Sequence, residues 1–579
     1  LPLFEGIINE GKIKPDGTLL NSIANICLQH HLSSFRLLNL ADRHGTALPS
    51  SAYSAILLTC TDLSQIKMAH NHLRLNLREI DDDLASTLVK VYAKQGRFSE
   101  GKAVFENLLS SASRKGTFSL RPGVKLGTST WNSMLAACCA EPYAYGDRAL
   151  TYFEEMTRVG GHVKPDAATL TLVATAARNH HKWSASRLLD IADKTGIVPT
   201  AGFYSVLLAM ATDRRRVGEG ERLHQHIRRN SDRVEMADFL AAGLITMYST
   251  CARIEDAVAV FNDIRDRKMK DGSRVLGLGS WNAMMQAYAQ HRRGEPAIEL
   301  FEDIVARESL APDNLTLTSY LMACGYAGHA DKAAKVYHSM KQRFGISPDI
   351  HHQNCVVDAF ARAALFEEAE EFIRQHVPQP TAVTWKTLLA ASVKYEKIDR
   401  AERYDRFLKA DFPKDTSARV LLANGYARAR RYQDLERVRQ EMRDEKVTRK
   451  APSLSWIESD GRQHDFTADD MAHLRIKEIH VELERIASRM KEALIETEPL
   501  HDWEDEAKFY HSEKLALGMG LISTPAGSPL TIFKTTRMTT DCHELTKLIS
   551  RIMEREITVG DVSCFHHFKN GCCSCKDFF

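Results

Sequence analysis

Residues 281–290 read WNAMMQAYAQ, and residues 297–304 read AIELFEDI. In both, apolar residues recur at three- and four-residue spacing, the mark of a helix with one buried face. Neither segment is unique. Trp131-Asn132 opens an apolar helix as Trp281-Asn282 does. An alanine followed four residues later by a large apolar residue recurs as Ala149/Phe153, Ala257/Phe261, Ala297/Phe301 and Ala333/Tyr337. Phe153 to Phe261 is 108 residues, three times 36; Phe261 to Phe301 is 40 and Phe301 to Tyr337 is 36. Pro-Asp punctuates the text at Pro15-Asp16, Pro165-Asp166, Pro312-Asp313 and Pro348-Asp349. The pattern predicts a helix-turn-helix unit of about 35 residues. Alanine lets the paired helices approach, and the aromatic residue one turn on fills the space beside it. One hairpin cannot bury its apolar face alone, so the units must stack.

Composition bounds the rest. The chain has 579 residues, 77 Lys plus Arg against 75 Asp plus Glu, and a formal net charge of +2. That excludes a polycation that binds nucleic acid by bulk charge; any such binding must come from local arrangement. Gly (31) and Pro (17) fall at or below average use, which argues against a low-complexity chain. Apolar residues make up 44%, enough for a large core, and no run of 18 apolar residues predicts a membrane span. The chain starts at Leu1, which leaves room for a front segment ahead of it, so no targeting segment is visible. Of twelve cysteines, five (Cys542, Cys564, Cys572, Cys573 and Cys575) lie in the last 38 residues. A dense tail with His beside Cys predicts a metal site rather than a disulfide scaffold.

Residues 14 to 450 resemble the pentatricopeptide repeat family, on the Trp281 and Ala297 segments quoted above. The unequal repeat lengths resemble the plant-organelle type, which mixes normal, long and short repeats. The resemblance divides the chain into degenerate N-terminal repeats (1–126), a repeat array (127–380) and E-type repeats (381–450). It implies an organellar protein, of mitochondrion or plastid with mitochondrion favoured, that binds single-stranded RNA. In the family, the fifth residue of a repeat's first helix and the repeat's last residue read one base. Carried over where the register is clear, Asn132 pairs with Asp166 and Asn282 with Asp313, a combination associated with uracil. Thr318 pairs with Asp349, a combination associated with guanine. Thr171 and Asn354 hold fifth positions with ambiguous partners. An Asn amide donates and accepts at once, as a base edge requires, while Asp at these positions equally reads as a helix cap. Arg214, Arg215, Arg216, Arg428, Arg430 and Arg431 are candidate phosphate contacts or simply solvated faces.

After residue 450 the text changes. Residues 451–461 read as a strand and turn, 473–495 as a helix, 506–517 as a helix, 530–534 as a strand, 541–556 as a helix and 557–568 as strand-like, a small α/β domain. His511-x-Glu513, followed some 30 residues later by a cysteine opening a helix, is the layout of a zinc deaminase. The segments His511-Ser-Glu-Lys-Leu-Ala, Asp541-Cys-His, Phe565-His-His-Phe and Cys573-Ser-Cys-Lys-Asp-Phe-Phe together resemble the DYW domain of editing factors, over residues 451–579. The expected fold is thus an all-α superhelical solenoid of helix-turn-helix repeats followed by a small α/β zinc-binding domain like cytidine deaminases.

The resemblance implies C-to-U RNA editing with Glu513 moving the proton and zinc held by His511, Cys542 and a second cysteine. That second position is Thr539, a poor zinc ligand, so the catalytic set is incomplete. It implies a second, structural zinc held by His543, one of His566 and His567, Cys573 and Cys575. Adjacent residues on a strand face opposite ways, so one of the two histidines is the ligand. The ending Asp577-Phe578-Phe579 and the entry Pro452-Ser453 depart mildly from the family pattern. Three readings follow: an active editing deaminase, an impaired deaminase-like RNA binder that specifies sites or recruits a deaminase or other editing factors in trans, and a helical scaffold for proteins.

Overall fold

The structure, a computed structural model, describes residues 15–577 except 78, 110–118, 121–125, 141, 160–162, 179, 181–182, 266–275, 307–309, 414, 416, 445–452, 469 and 496–510. Phe578, Phe579, Pro452 and the stretch from Glu506 to Tyr510 lie outside the described residues. Among the described residues there are 27 helices, and those before Pro452 pair into successive hairpins. The chain divides into two units. One runs to Arg214 and adds Glu221–Glu235; the other holds Arg215–Gly220 and everything from Met236.

Within each unit the predicted packing holds. Ala149, Ala257, Ala297 and Ala333 are fully buried, and Phe153, Phe261, Phe301 and Tyr337 are buried beside them. Trp131 meets Phe105 edge-to-face at 4.9 Å in the first unit, and Trp281 meets Phe261 at 5.0 Å in the second. The helix Leu278–Gln290 packs on Gly294–Ala306 of its own hairpin and on Asp238–Thr250 of the one before. The four Pro-Asp aspartates all cap helices. Asp16, Asp166, Asp313 and Asp349 accept backbone N–H bonds from the first turn that follows.

The turn inside each hairpin has a signature of its own. In the second unit it places Ala252, Arg292, Gly328, Ala364, Glu396 and Arg430 at positive φ, between 55° and 86°. Only one of these is glycine, although the left-handed region costs other residues free energy. A local backbone bond holds each of them there: the N–H of the next residue returns to the carbonyl five residues before it, as Arg293 N does to Tyr288 O and Lys397 N to Ser392 O, both at 2.8 Å.

The C-terminal domain is a six-stranded sheet in the order Arg462–Phe466, Ser455–Ser459, Leu530–Lys534, Ile557–Gly560, Phe565–Lys569, Cys572–Cys573. Only the pair Leu530–Lys534 with Ile557–Gly560 is parallel. The helices Ile476–Ile495, Ser512–Ser523 and Thr540–Ile552 cover it, around a core that includes Ile457, Phe466, Ile479, Leu515, Ile532 and Phe568. The structure amends the sequence reading twice. The stretch 557–568 is two antiparallel strands, broken where the Asp561 carboxylate gathers the N–H groups of Ser563 and Cys564 into a turn. The strand Arg462–Phe466 was not expected. It lies on the edge of the sheet and mixes charged residues with a single buried anchor, Phe466, so its alternation is faint.

Candidate functional site

The carried-over base-reading residues come together in pairs. Asn132 Nδ2 donates to the Asp166 carboxylate at 3.2 and 3.4 Å, within the first unit. Asn282 Nδ2 donates to Asp313 at 3.1 and 3.2 Å, within the second. Each aspartate caps the helix that follows its asparagine's hairpin, so consecutive repeats share the pair. Asn132 is half-buried and Asn282 is 4% exposed; the aspartates are the solvent-facing members. Thr318 and Asp349 are linked differently. Thr318 Oγ1 donates to Asn314 O at 2.8 Å, and His352 stands between the pair, its Nε2 3.3 Å from Thr318 Oγ1 and its Nδ1 2.7 Å from Asp349. Thr171 lies 3.4 Å from Thr200, the cap of the helix that follows its hairpin, and Asn354 accepts from Thr384, the third residue of the helix capped by Thr381. Four of the six clustered arginines are tied within their own units: Arg214 to the carbonyls of His180 and Trp183, Arg215 to the carbonyl of Gly560, Arg216 to Glu219, and Arg431 to Glu402 and Asp434.

In the C-terminal domain, the helix Thr540–Ile552 presents His543 inward, and the last two strands and the turn after them present His566, Cys573 and Cys575. Their ligand atoms all lie within 4.8 Å of one another. His543 Nε2 is 3.2 Å from Cys575 Sγ, and His566 Nδ1 is 3.7 Å from Cys573 Sγ. A tetrahedral zinc with N and S ligands requires ligand spacings of about 3.6 Å. Two imidazoles and two thiols at such spacing fit structural zinc. His567 is turned the other way: its Nε2 lies 2.8 Å from His291 Nδ1 on a repeat. Cys572 is exposed. Asp561, fully buried by side chain, faces the other nitrogen of His566 at 3.5 Å and also accepts from Met538 N at 3.0 Å. It sits where a carboxylate fixes the tautomer of a metal-binding histidine.

The second cluster is His511, Glu513 and Cys542. His511 Nδ1 lies 3.1 Å from Cys542 Sγ. Thr539 lies beside it, its side chain hydrogen-bonded to the Cys542 thiol. Thr539 is the N-cap of the helix Thr540–Ile552, and its hydroxyl accepts from Cys542 N at 3.4 Å. Lys534, from the neighbouring strand, forms an ion pair with Glu513 at 2.6 Å, both side chains 4% exposed. Burial pushes the Glu513 carboxyl up, but the Lys534 charge together with hydrogen bonds from Lys534, Cys542 and the backbone holds the group below its ordinary value. Burial and the nearby Glu513 push the Cys542 thiol up to about 12. The set therefore offers one imidazole, one thiol and a carboxylate already paired to an ammonium. It lacks the second thiolate that a zinc deaminase centre uses, so it does not fit the catalytic zinc.

Sequence reasoning missed Lys534 and Asp561, because a strand lysine and a turn aspartate carry no spacing signal. It also missed the buried Thr169 and Thr316, although Asp-x-x-Thr before an apolar helix is close to a capping-box signature.

Comparison with known proteins agrees with this architecture. A family model described as "DYW family of nucleic acid deaminases" matches residues 493–579, an "E motif" model matches 395–458, and a "PPR repeat" model matches 85–111, 279–308 and 315–343. The chain belongs to the pentatricopeptide repeat family, in the group whose array runs through an E motif into a DYW domain. Three relatives from Arabidopsis thaliana illustrate the range. The chain is 28% identical to pentatricopeptide repeat-containing protein CRR2, chloroplastic, over 91% of this chain and 88% of that protein. It is 35% identical to ELI1, chloroplastic, over 61% and 56%, and 36% identical to a mitochondrial member, At5g46460, over 60% and 49%. It spans between 48% and 62% of the length of four of the curated relatives it matches. The crystal structure of the pentatricopeptide repeat protein PPR10 in complex with an 18-nt psaJ RNA element aligns with 76% of this chain and 75% of that chain, at 18% identity and a TM-score of 0.46. No helix among the described residues is long and apolar enough to cross a membrane.

Proposed function

We propose that this chain is a sequence-specific, single-stranded RNA-binding factor of organellar C-to-U editing whose own deaminase centre is impaired. The repeats select the site, through Asn132/Asp166, Asn282/Asp313 and Thr318/Asp349. The C-terminal domain keeps the deaminase fold and holds one structural zinc on His543, His566, Cys573 and Cys575, which ties the last strands to the helix Thr540–Ile552. Deamination at the selected cytidine is then supplied in trans.

One observation carries the reading of impairment: Thr539, where the family has a zinc cysteine, is engaged as a helix cap. The Lys534–Glu513 pair supports it. A proton-shuttling carboxylate works best with a pKa near the operating pH, and Lys534 moves Glu513 the other way. A second reading, direct catalysis by a compensated centre, draws on one fact: the ligand atoms of His511, Glu513 and Cys542 lie within 4.8 Å of one another, so two of the expected metal ligands and the proton-moving carboxylate are still gathered.

The test is selection from a random RNA pool by the purified full chain, followed by sequencing of the bound RNA for C-to-U conversion. The expected result is an enriched motif, no conversion by the chain alone, and conversion when an active DYW domain is added. Failure to enrich any motif overturns the RNA reading. Conversion by the chain alone, with two zinc ions per chain, overturns the impairment.

A further inference from the structure

The base-reading pairs share a third residue. Thr169, Thr316 and Thr384 are each 0% exposed and occupy the third position of the helix that follows an asparagine's hairpin. In each case the threonine Oγ1 lies 2.7 Å from the asparagine Oδ1: Thr169 with Asn132, Thr316 with Asn282, Thr384 with Asn354. Thr169 Oγ1 also lies 2.8 Å from the Asp166 carboxylate and accepts from Asp166 N at 3.0 Å. Thr316 repeats this with Asp313, at 2.8 and 3.1 Å. One buried hydroxyl thus touches both members of the pair. The arrangement recurs in both units with the same spacing.

Its chemical effect is on the orientation of the amide. The carboxylate takes the Nδ2 end and the hydroxyl donates to the Oδ1 end; turned over, the amide would set its Oδ1 against the carboxylate and the hydroxyl would lose the acceptor it donates to. One N–H and one lone pair remain for a base, in a fixed order. Uracil and cytosine have the same outline. They differ by exchange of donor and acceptor: O4 accepts where N4 donates, and N3 is protonated in one and bare in the other. An amide that turned over freely would serve either pyrimidine.

The fourth case uses different chemistry to the same end. His352, 0% exposed, takes the threonine's place, and the Thr318 hydroxyl gives its proton to Asn314 O. What remains on Thr318 is an acceptor, which suits a base edge that donates.

We propose that this buried third-position threonine (Thr169, Thr316 and Thr384) is a specificity-determining positioning residue that sets which end of the fifth-position asparagine meets the base. The proposal rests on the base-reading function given above. It adds a residue that never touches RNA and acts through its neighbour.

The experiment uses the full chain, a random RNA pool and four proteins: the parent, Asn132→Ala, Thr169→Val and Thr169→Ser. Asn132→Ala marks the base position that belongs to this repeat, because enrichment there goes flat. Thr169→Val keeps the side-chain outline and removes the hydroxyl; Thr169→Ser keeps the hydroxyl. The expected result is that Thr169→Val loses at least threefold in pyrimidine discrimination at that one position, with the rest of the motif intact, while Thr169→Ser retains it. An intact motif elsewhere shows that the variant is folded. If Thr169→Val keeps full discrimination at a position that Asn132→Ala flattens, the proposal is wrong. If the parent enriches no motif, the base-reading function itself has failed, which is a separate outcome.

Discussion

Thr539 puts a hydroxyl where the family's zinc motif has a thiol. Thr539 cannot supply a thiolate, and it has taken up another task, capping the helix that carries Cys542 and His543. Thr539→Cys should therefore have two opposite effects. Zinc per chain should rise from one toward two by elemental analysis of the purified protein. With metal stripped, the domain should melt earlier, because loss of a threonine cap costs about 1 kcal/mol. A zinc count that stays at one would show that the Lys534–Glu513 pair, rather than the missing ligand, closes the site. Asp561→Asn should lower zinc affinity at the intact cluster by about 10-fold or more in a chelator competition, as loss of a histidine's carboxylate partner does elsewhere. At this scale the metal-type residues were legible in the sequence, because histidines and cysteines at motif spacing stand out from an average chain. Lys534 and Asp561 were not. Their roles exist only once the strand Leu530–Lys534 lies beside the helix Ser512–Ser523 and the turn at Asp561 reaches Met538.

The hairpin is the next scale up. Its stability rests on aromatic residues wedged beside buried alanines, as Phe261 is against Trp281. Phe261→Ala should cost about 3–5 kcal/mol, seen as an earlier helical transition in circular dichroism on denaturant titration. The hairpin periods could be read from sequence because they are written in large apolar residues and in Pro-Asp. The turns could not. Arg292, Ala364, Glu396 and Arg430 sit in the left-handed region, yet nothing in those residue types announces a turn. The split of residues 557–568 into two strands was hidden for a similar reason. Both strands are buried and carry little alternation, and the break between them is made by a side chain folding onto its own backbone.

At the scale of the second unit, repeats and C-terminal domain are joined at hairpin turns. His291 stacks on Phe565 at 4.3 Å and lies 2.8 Å from His567; Arg292 Nη2 is 2.8 Å from Cys564 Sγ; Lys394 Nζ donates to Lys576 O at 2.8 Å. Burial, with His567 adding to it, lowers the His291 pKa from 6.5 to about 3, so His291 is neutral in the folded unit. The sign follows from linkage. Above pH 6.5 neither state binds the proton and the contact is at full strength. Below 6.5 the undocked histidine is protonated and the docked one is not. The joint should then weaken by about 1.4 kcal/mol per pH unit down to the folded value. Limited proteolysis from pH 7.5 to 5 should show faster release of the C-terminal domain on acidification, and His291→Phe should make that profile shallower, the remainder belonging to His567, whose pKa burial lowers to about 4 at the same joint. None of this joint was legible beforehand, because histidine and arginine in a repeat turn look like solvated surface until the domain is placed against them. The turns themselves carry a further meaning. Because each bend is closed by backbone hydrogen bonds and accepts arginine, alanine, glutamate or glycine alike, a hairpin can be copied or dropped as a cassette without redesigning its ends. On the reading proposed above, an array built that way would lengthen or shorten the strand it matches one nucleotide at a time, while its outer surface stays free to drift until some turn is recruited to hold another domain.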